Sequence, residues 1–388
     1  MPEDKQVDAQ FGYQLGQDID RLADDQVIDD VYALGGEHPM RRLEVIAPAR
    51  LEWVERPDVQ LTADDDVIVR PIASSTCDLD RAIIAGITPF RFPFAVGHEG
   101  VGEVVDCGPG VQGVRPGDLV VIPWHIWCGD CDRCTAGMPS HCRNVPRRAM
   151  YGIPLGGDWG GLFDDLIRSP WGGRALIPIP PGVSARAAAS AGDNLTDAWR
   201  SVAPTLAAKP DASVLIAGGL PSVGVFVAMH AAALGAGRML YVDPDPNRRQ
   251  FVTTLGIETR PELPGPGEAE FDLVVDAGAN PRQLADALAL VAPGGRCHSV
   301  GIYFGDRTEM PLLTMFMNGT TFTTGRADVG HSIPQVLDLI LTGAIDPLPI
   351  YSPEIAWDDA PTALAESPDK PIVERERLLA PPATDLPE

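Results

Sequence analysis

Ser213-Val-Leu-Ile-Ala-Gly-Gly-Leu-Pro-Ser-Val-Gly224 begins as a short apolar run with β-branched residues and turns at two adjacent glycines. An alanine-rich stretch, Val225 to Leu234, comes next, followed by a second apolar run, Arg238-Met-Leu-Tyr-Val-Asp243. Strand, glycine turn, helix and strand in that order predict a βαβ unit. Two further strand-like runs lie downstream, Phe271-Asp-Leu-Val-Val-Asp276 and Gly294-Gly-Arg-Cys-His-Ser-Val-Gly301. This alternation predicts an α/β fold, a doubly wound parallel sheet with helices on both faces.

The turn in this unit suits a dinucleotide. A helix N-terminus carries partial positive charge, and glycines there let the backbone approach a pyrophosphate. Gly219, Val223 and Gly224 are the candidate contacts. Asp243 ends the second strand nineteen residues after Gly224, where a carboxylate can accept bonds from ribose hydroxyls. Such a carboxylate repels a 2′-phosphate and favours NAD. Arg248 and Arg249 follow closely, weaken that preference, and keep NADP possible. The G-x-G-x-x-G pattern has Pro221 at its middle position, which removes an N–H and adds bulk. A nucleotide-binding shell that has lost its cofactor is the alternative.

A chain of 388 residues exceeds what one small core needs, so two domains or one composite domain are expected. Apolar residues at 45% and charged residues at 22% are the balance of a soluble globular protein. No apolar run reaches the ~18 residues of a membrane span. The first residues are acidic and resemble neither a secretion signal nor a transit peptide. Together these features predict a cytoplasmic protein with no membrane partner. The net charge of −24 leaves no surplus of Lys and Arg to neutralise phosphates, which argues against nucleic acid. A GC-rich genome and a salt-adapted surface both explain the acidity.

Four of the seven cysteines, Cys128, Cys131, Cys134 and Cys142, form a C-x2-C-x2-C-x7-C run. Disulfides between such close neighbours would be strained. Four thiolates suit tetrahedral zinc, and Gly129, Asp130 and Gly137 supply the turns a loop needs to wrap one ion. An iron–sulfur cluster fits less well, because the last gap is long and Arg143 rather than proline follows Cys142. A structural zinc, closed to substrate, is expected.

Upstream, Gly97-His98-Glu99-Gly100-Val101-Gly102 leads to Gly108 and Val111. This G-H-E-x2-G-x5-G-x2-V pattern resembles the zinc signature of the medium-chain alcohol dehydrogenase family, and the four-cysteine lobe falls where that family keeps its structural zinc. The resemblance runs from about Met40 to the C-terminus. It implies a second, catalytic zinc held by Cys77, His98 and a third ligand. Asp193 looks like the aspartate that bacterial members resembling formaldehyde dehydrogenases use, with Asp197 as its substitute and a helix cap as its alternative role. Glu99 would stand beside the metal. Asp80 fits the carboxylate that orients the histidine ligand. Thr196 near the nicotinamide and Lys370 near the pyrophosphate are weaker implications. One departure stands out: Leu79 occupies the position where the family has a proton-relaying hydroxyl, so water or Ser74, Ser75 or Thr76 must take that role.

The resemblance implies a Rossmann domain inserted into a β-rich GroES-like catalytic domain that carries the structural zinc lobe. The expected boundaries are an acidic extension at 1–39, the zinc-bearing part at 40–196, the Rossmann part at 197–327, and a return at 328–388. It also implies a zinc-dependent oxidoreductase passing hydride between a small alcohol, aldehyde or ketone and NAD, as a homo-oligomer (dimer or tetramer). An aldehyde dismutase or a lyase with retained NAD is the alternative to which Leu79 and Pro221 point. A non-catalytic zinc-stabilised binding protein is the other, opposed by the open Cys77/His98/Asp193 set.

Overall fold

The computed structural model describes residues 39–379 apart from 266, 306 and 367. The acidic extension expected at 1–39 lies outside the described residues, except for Pro39, which starts a strand. The chain divides into two compact units. One holds the residues up to Asp193 with Asp328–Leu337 and Leu348 onward; the other is Asn194–Ala327 with Asp338–Pro347. The division falls at Asn194 rather than at 197, because Asn194 opens the helix Asn194–Ala208, which is continuous across the expected boundary.

In the first unit, a seven-stranded sheet has the order Glu354–Ala356, Ile372–Glu374, Val67–Ser75, Glu99–Cys107, Leu119–Ile122, Ile177–Pro178, with Ile167–Ser169 paired to Val67–Ser75. Val67–Ser75 is buried along almost its whole length, as a central apolar strand must be. Pro71 sits within it at a register irregularity between Pro71 and Ala73, where a missing ladder donor is tolerated. Val69, Val104, Val120, Ile122 and Leu162 form the core beneath the sheet. The register positions the chemistry. Ser75 pairs with Glu99, so Cys77, two residues past the end of one strand, arrives beside His98, one residue before the start of the other.

The second unit is a six-stranded sheet in the order Glu258–Arg260, Met239–Val242, Val214–Ala217, Phe271–Asp276, Val291–Ser299, Thr321–Thr324. Every pairing in it is parallel. Its inner strands are nearly continuous apolar runs, which a sheet covered on both faces requires. The helix Val223–Ala233 follows the glycine turn and is buried over its first nine residues.

Candidate active site

Cys77, His98 and Asp193 converge although they lie far apart in sequence. Their ligand atoms all lie within 4.8 Å of one another, and all three residues are buried. His98 Nε2 stands 3.5 Å from Asp193 Oδ2. Cys77 caps the helix Asp78–Ile84, and the capping arrangement ties the site together. Asp80 Oδ2 accepts the Cys77 backbone N–H at 2.9 Å, while its other oxygen lies 3.3 Å from His98 Nδ1. One carboxylate thus fixes the backbone of one candidate ligand and the ring of another. Gly97, just before His98, has φ +92°, and a Cβ there would lie 2.3 Å from the Phe163 ring, so only glycine fits that approach.

The electrostatics of this donor set suit a cation. Burial, then the neighbouring Asp193, pushes the Cys77 thiol well up. Burial opposes charging of His98, yet Asp80, Cys77 and Asp193 together hold its pKa high. Left to themselves the groups therefore retain protons. A bound divalent ion reverses both preferences, because it favours thiolate and neutral imidazole. A thiol, an imidazole and a carboxylate, three protein ligands in all, form a set typical of open zinc sites.

Behind His98, Glu99 Oε2 accepts from Lys370 Nζ at 2.5 Å and from Ser190 Oγ at 2.7 Å. Lys370 Nζ also donates to the Thr76 carbonyl at 2.8 Å, and the Ser190 N–H donates to Tyr351 Oη. Burial raises the Glu99 carboxyl to about 7, against the lowering effect of Lys370. Burial would lower Lys370, but Glu99 together with Asp78, Tyr351 and Cys77 outweighs it and its pKa is raised. Lys370, which the resemblance places near a pyrophosphate, is thus committed within the first unit to Glu99 and Thr76. Ser190 and Tyr351 carried no motif, and only the fold brings them to Glu99.

The four-cysteine lobe is closed. Its sulfurs approach at 3.5 Å (Cys131–Cys134), 3.9 Å (Cys131–Cys142) and 4.0 Å (Cys128–Cys134), with no disulfide. Tetrahedral Zn–S bonds of ~2.3 Å imply S···S separations of about 3.8 Å. Asn144 Nδ2 donates to Cys128 Sγ at 3.3 Å and the Arg143 N–H to Cys131 Sγ at 3.5 Å, bonds that stabilise thiolates.

In the second unit, Gly219 lies in the turn, Val223 and Gly224 open the following helix, and Thr196 is wholly buried in the helix Asn194–Ala208. Asp197 pairs with Arg200 at 2.8 Å and is not part of the metal-competent group. Asp243 is wholly buried and paired with Arg248.

Two family models match the chain. Residues 63–181 match the alcohol dehydrogenase GroES-like domain and residues 222–342 the zinc-binding dehydrogenase model. The chain belongs to the zinc-containing medium-chain dehydrogenase family. A Mycobacterium tuberculosis protein named "Probable zinc-binding alcohol dehydrogenase" is 29% identical over 356 residues, covering 89% of this chain and 90% of that protein. A glutathione-independent formaldehyde dehydrogenase of Pseudomonas aeruginosa is 32% identical over 202 residues, half of each chain. The solved alcohol dehydrogenase of Thermus sp. ATN1 superposes with a TM-score of 0.77 at 29% identity, over 86% of this chain and 99% of that one. The protein is a zinc-dependent alcohol oxidoreductase with a GroES-like unit and a Rossmann unit. Among the described residues, no helix is long and apolar enough to cross a membrane.

Proposed function

We propose that the chain is a nicotinamide-dependent alcohol dehydrogenase with one catalytic and one structural zinc, acting on a small alcohol or aldehyde. The observation that carries this reading is the convergence of Cys77, His98 and Asp193 within 4.8 Å in a buried pocket of donors. Cys77, His98 and Asp193 would hold the catalytic ion, and Cys128, Cys131, Cys134 and Cys142 the structural one. When bound, zinc supplies a Lewis acid that lowers the pKa of an alcohol, and the nicotinamide accepts the hydride. The chain's own residues position and balance charge: Asp80 orients His98, and Lys370 with Ser190 holds Glu99 behind it. The glycine turn of the second unit receives the dinucleotide, as a helix N-terminus does for a pyrophosphate. The un-crosslinked cysteines fit a reducing cytoplasm. Reduced-nicotinamide absorbance across a panel of alcohols, aldehydes and polyols tests the reading; no turnover with any of them by zinc-loaded protein would sink it.

Proton exit needs a route that avoids Leu79. Ser74 Oγ is committed to the Leu162 carbonyl and Ser75 Oγ to that of Pro371. Thr76 Oγ1, buried and without a hydrogen-bond partner among the described residues, is the uncommitted hydroxyl of that run. Leu79→Thr is expected to raise alcohol oxidation several-fold near neutral pH, within the ~10²–10⁴-fold ceiling for a well-placed acid–base group. Zinc content should stay the same. An unchanged pH–rate profile with a higher KM would instead make Leu79 a packing residue of the substrate pocket.

Self-association is part of this reading. The helix Leu312–Asn318 has no buried residue, and Leu312, Leu313, Phe316 and Met317 are 68–81% exposed. Shortly after it in the chain comes Thr321–Thr324, the end strand of the parallel sheet. An exposed apolar patch and an open strand edge mark association surfaces, and a second copy would cover them. Phe316→Glu is expected to reduce the mass measured by light scattering with circular dichroism unchanged; an unaltered oligomer would place the contact elsewhere.

A further inference from the structure

A cavity of about 260 Å³ lies in the first unit, and none of the Cys77, His98 and Asp193 donors lines it. Met40, Val59 and Leu166 give it an apolar wall. Its polar wall contains the guanidinium groups of Arg42, Arg56 and Arg168, each already paired. Arg42 donates to Asp158 Oδ2 at 2.6 Å and to Asp164 Oδ2 at 3.0 Å, Arg56 to Glu44 Oε1 at 2.8 Å, and Arg168 to Asp66 Oδ2 at 2.9 Å. Asp58 lines the cavity as well. Carboxylates therefore outnumber guanidiniums around it, and a bare anion is repelled. One cationic edge is nevertheless open. Arg168 uses only Nη1, on Asp66 and Thr62, and among the described residues nothing accepts from its Nε or Nη2. Those two N–H groups form the fork that grips both oxygens of a carboxylate. The fork is fixed in place: Arg168 Cζ lies 5.9 Å from the Trp159 ring centroid, and Trp159 Nε1 donates to the Gly156 carbonyl at 2.9 Å. Two carboxylates of the wall have the converse need. Asp58 Oδ1 and Asp164 Oδ1 are buried with no hydrogen-bond partner among the described residues. Burial raises the Asp164 carboxyl to about 7 against the lowering effect of Arg42, as expected of a carboxylate short of donors.

We propose that this cavity binds a small apolar α-amino acid as its zwitterion. The carboxylate takes the open edge of Arg168, the ammonium serves Asp58 and Asp164, and the side chain lies against Met40, Val59 and Leu166. Each part of the ligand answers one observation. Zero net charge lets it enter where a bare anion is repelled, and its two ends meet the unused donors and the unused acceptors together. A simple amine would leave the fork empty, and a polyol would gain nothing from the apolar wall. The site is separate from the metal centre, yet one loop serves both. Asp158, Trp159, Gly160 and Asp164 line the cavity. Between them, the Leu162 N–H donates to the Gly97 carbonyl at 2.8 Å, and the Phe163 ring fills the space a Cβ at Gly97 would need. The amino acid therefore rests on the loop that backs His98, without touching any of the three candidate ligands.

Isothermal titration of zinc-loaded, full-length protein with leucine, methionine and phenylalanine tests the site, with three comparison compounds. 4-Methylpentanoate lacks the ammonium of leucine, 3-methylbutylamine lacks its carboxylate, and sorbitol offers hydroxyls alone. At least one of the amino acids should bind saturably, and each comparison compound should bind roughly tenfold more weakly or not at all. Arg168→Lys keeps the charge beside Asp66 but removes the fork, and should weaken the amino acid by roughly tenfold or more. Asp58→Asn keeps the size and removes a charge, and should weaken it comparably; it remains informative should Arg168→Lys fold poorly, because Asp58 holds no hydrogen bond among the described residues. Zinc content and melting temperature without amino acid should be unchanged in Asp58→Asn. Saturable binding by none of the three amino acids overturns the proposal. So does a comparison compound that binds as tightly as they do, or amino-acid affinity indifferent to both variants, which would place the ligand elsewhere.

Discussion

Cys77→Ala is expected to lower bound zinc from two equivalents per chain, one for each metal-competent group, to one, and to abolish measurable alcohol oxidation with the fold intact. The fold should survive because half of the capping box at residue 77, the bond from its backbone N–H to the Asp80 carboxylate, does not depend on sulfur. Asp80 Oδ2 still accepts the backbone N–H of residue 77, while the contacts of Sγ with the first helical turn, among them the long 3.5 Å one from Leu79 N, are lost. Removing a small buried thiol also leaves no uncompensated charge, because burial and Asp193 keep that thiol protonated whenever no metal is present. His98→Ala is a poorer probe. It strips the partner from Asp80, whose carboxylate is wholly buried, and an orphaned buried charge costs several kcal/mol in its own right. Lewis-acid stabilisation of the reacting oxygen is worth several kcal/mol, so its loss should reduce the rate by roughly 10³-fold or more. Elemental analysis with thermal melts and turnover assays checks all three parts. Loss of both metals, or of neither, would remove Cys77 from the catalytic set.

Much of this site was legible in the sequence because metal ligands must be particular residue types and short spacings constrain loops. The lobe is the clearest case: Cys128 to Cys142 lie in one local segment, so their spacing implied that a loop could gather four sulfurs around one ion, and the structure brings them together. His98 and Asp80 could be read through the family pattern, and the pairing of Ser75 with Glu99 explains why Cys77 meets His98. What spacing could not show was which partners long-range packing would supply. Lys370 reaches Glu99 across 271 positions and Ser190 reaches it across 91. Neither carries a local signal, since a lysine before a short strand and a serine in an alanine run are ordinary residues. Asp243 illustrates the same limit at short range. Its position at the strand end was evident, but strand twist and the helix start at Pro246 decide that Arg248 lies across it rather than out in solvent.

Cys134→Ser should produce the opposite phenotype to Cys77→Ala: loss of the other zinc, a large drop in thermal stability, and a smaller direct effect on chemistry. The reason lies in what the lobe is made of. Cys128, Cys134 and Cys142 are themselves its core, packed with Trp127 and Ala175, and Cys134 is wholly buried. Burial raises the Cys128 thiol to about 11 and pushes Cys134 higher still, so these two sulfurs resist ionising unless a cation is present, while at Cys131 burial is outweighed by backbone N–H bonds and the thiol is lowered to about 6. Metal binding and folding of the lobe are therefore one equilibrium, and structural zinc sites of this kind contribute on the order of 10 kcal/mol in small domains. Serine lacks the soft donor that zinc requires, and its hydroxyl is left in an apolar setting without a thiolate's metal bond. The local helix Asp132–Thr135 is only four residues long and cannot hold without that centre. Limited proteolysis should cut between residues 128 and 146 in the variant and spare that region in the unaltered protein. The remaining zinc should stay with Cys77, His98 and Asp193, so turnover measured below the new melting temperature should exceed that of Cys77→Ala. A variant with full zinc content, or one that resists proteolysis in the lobe, would show that the four sulfurs do not share an ion.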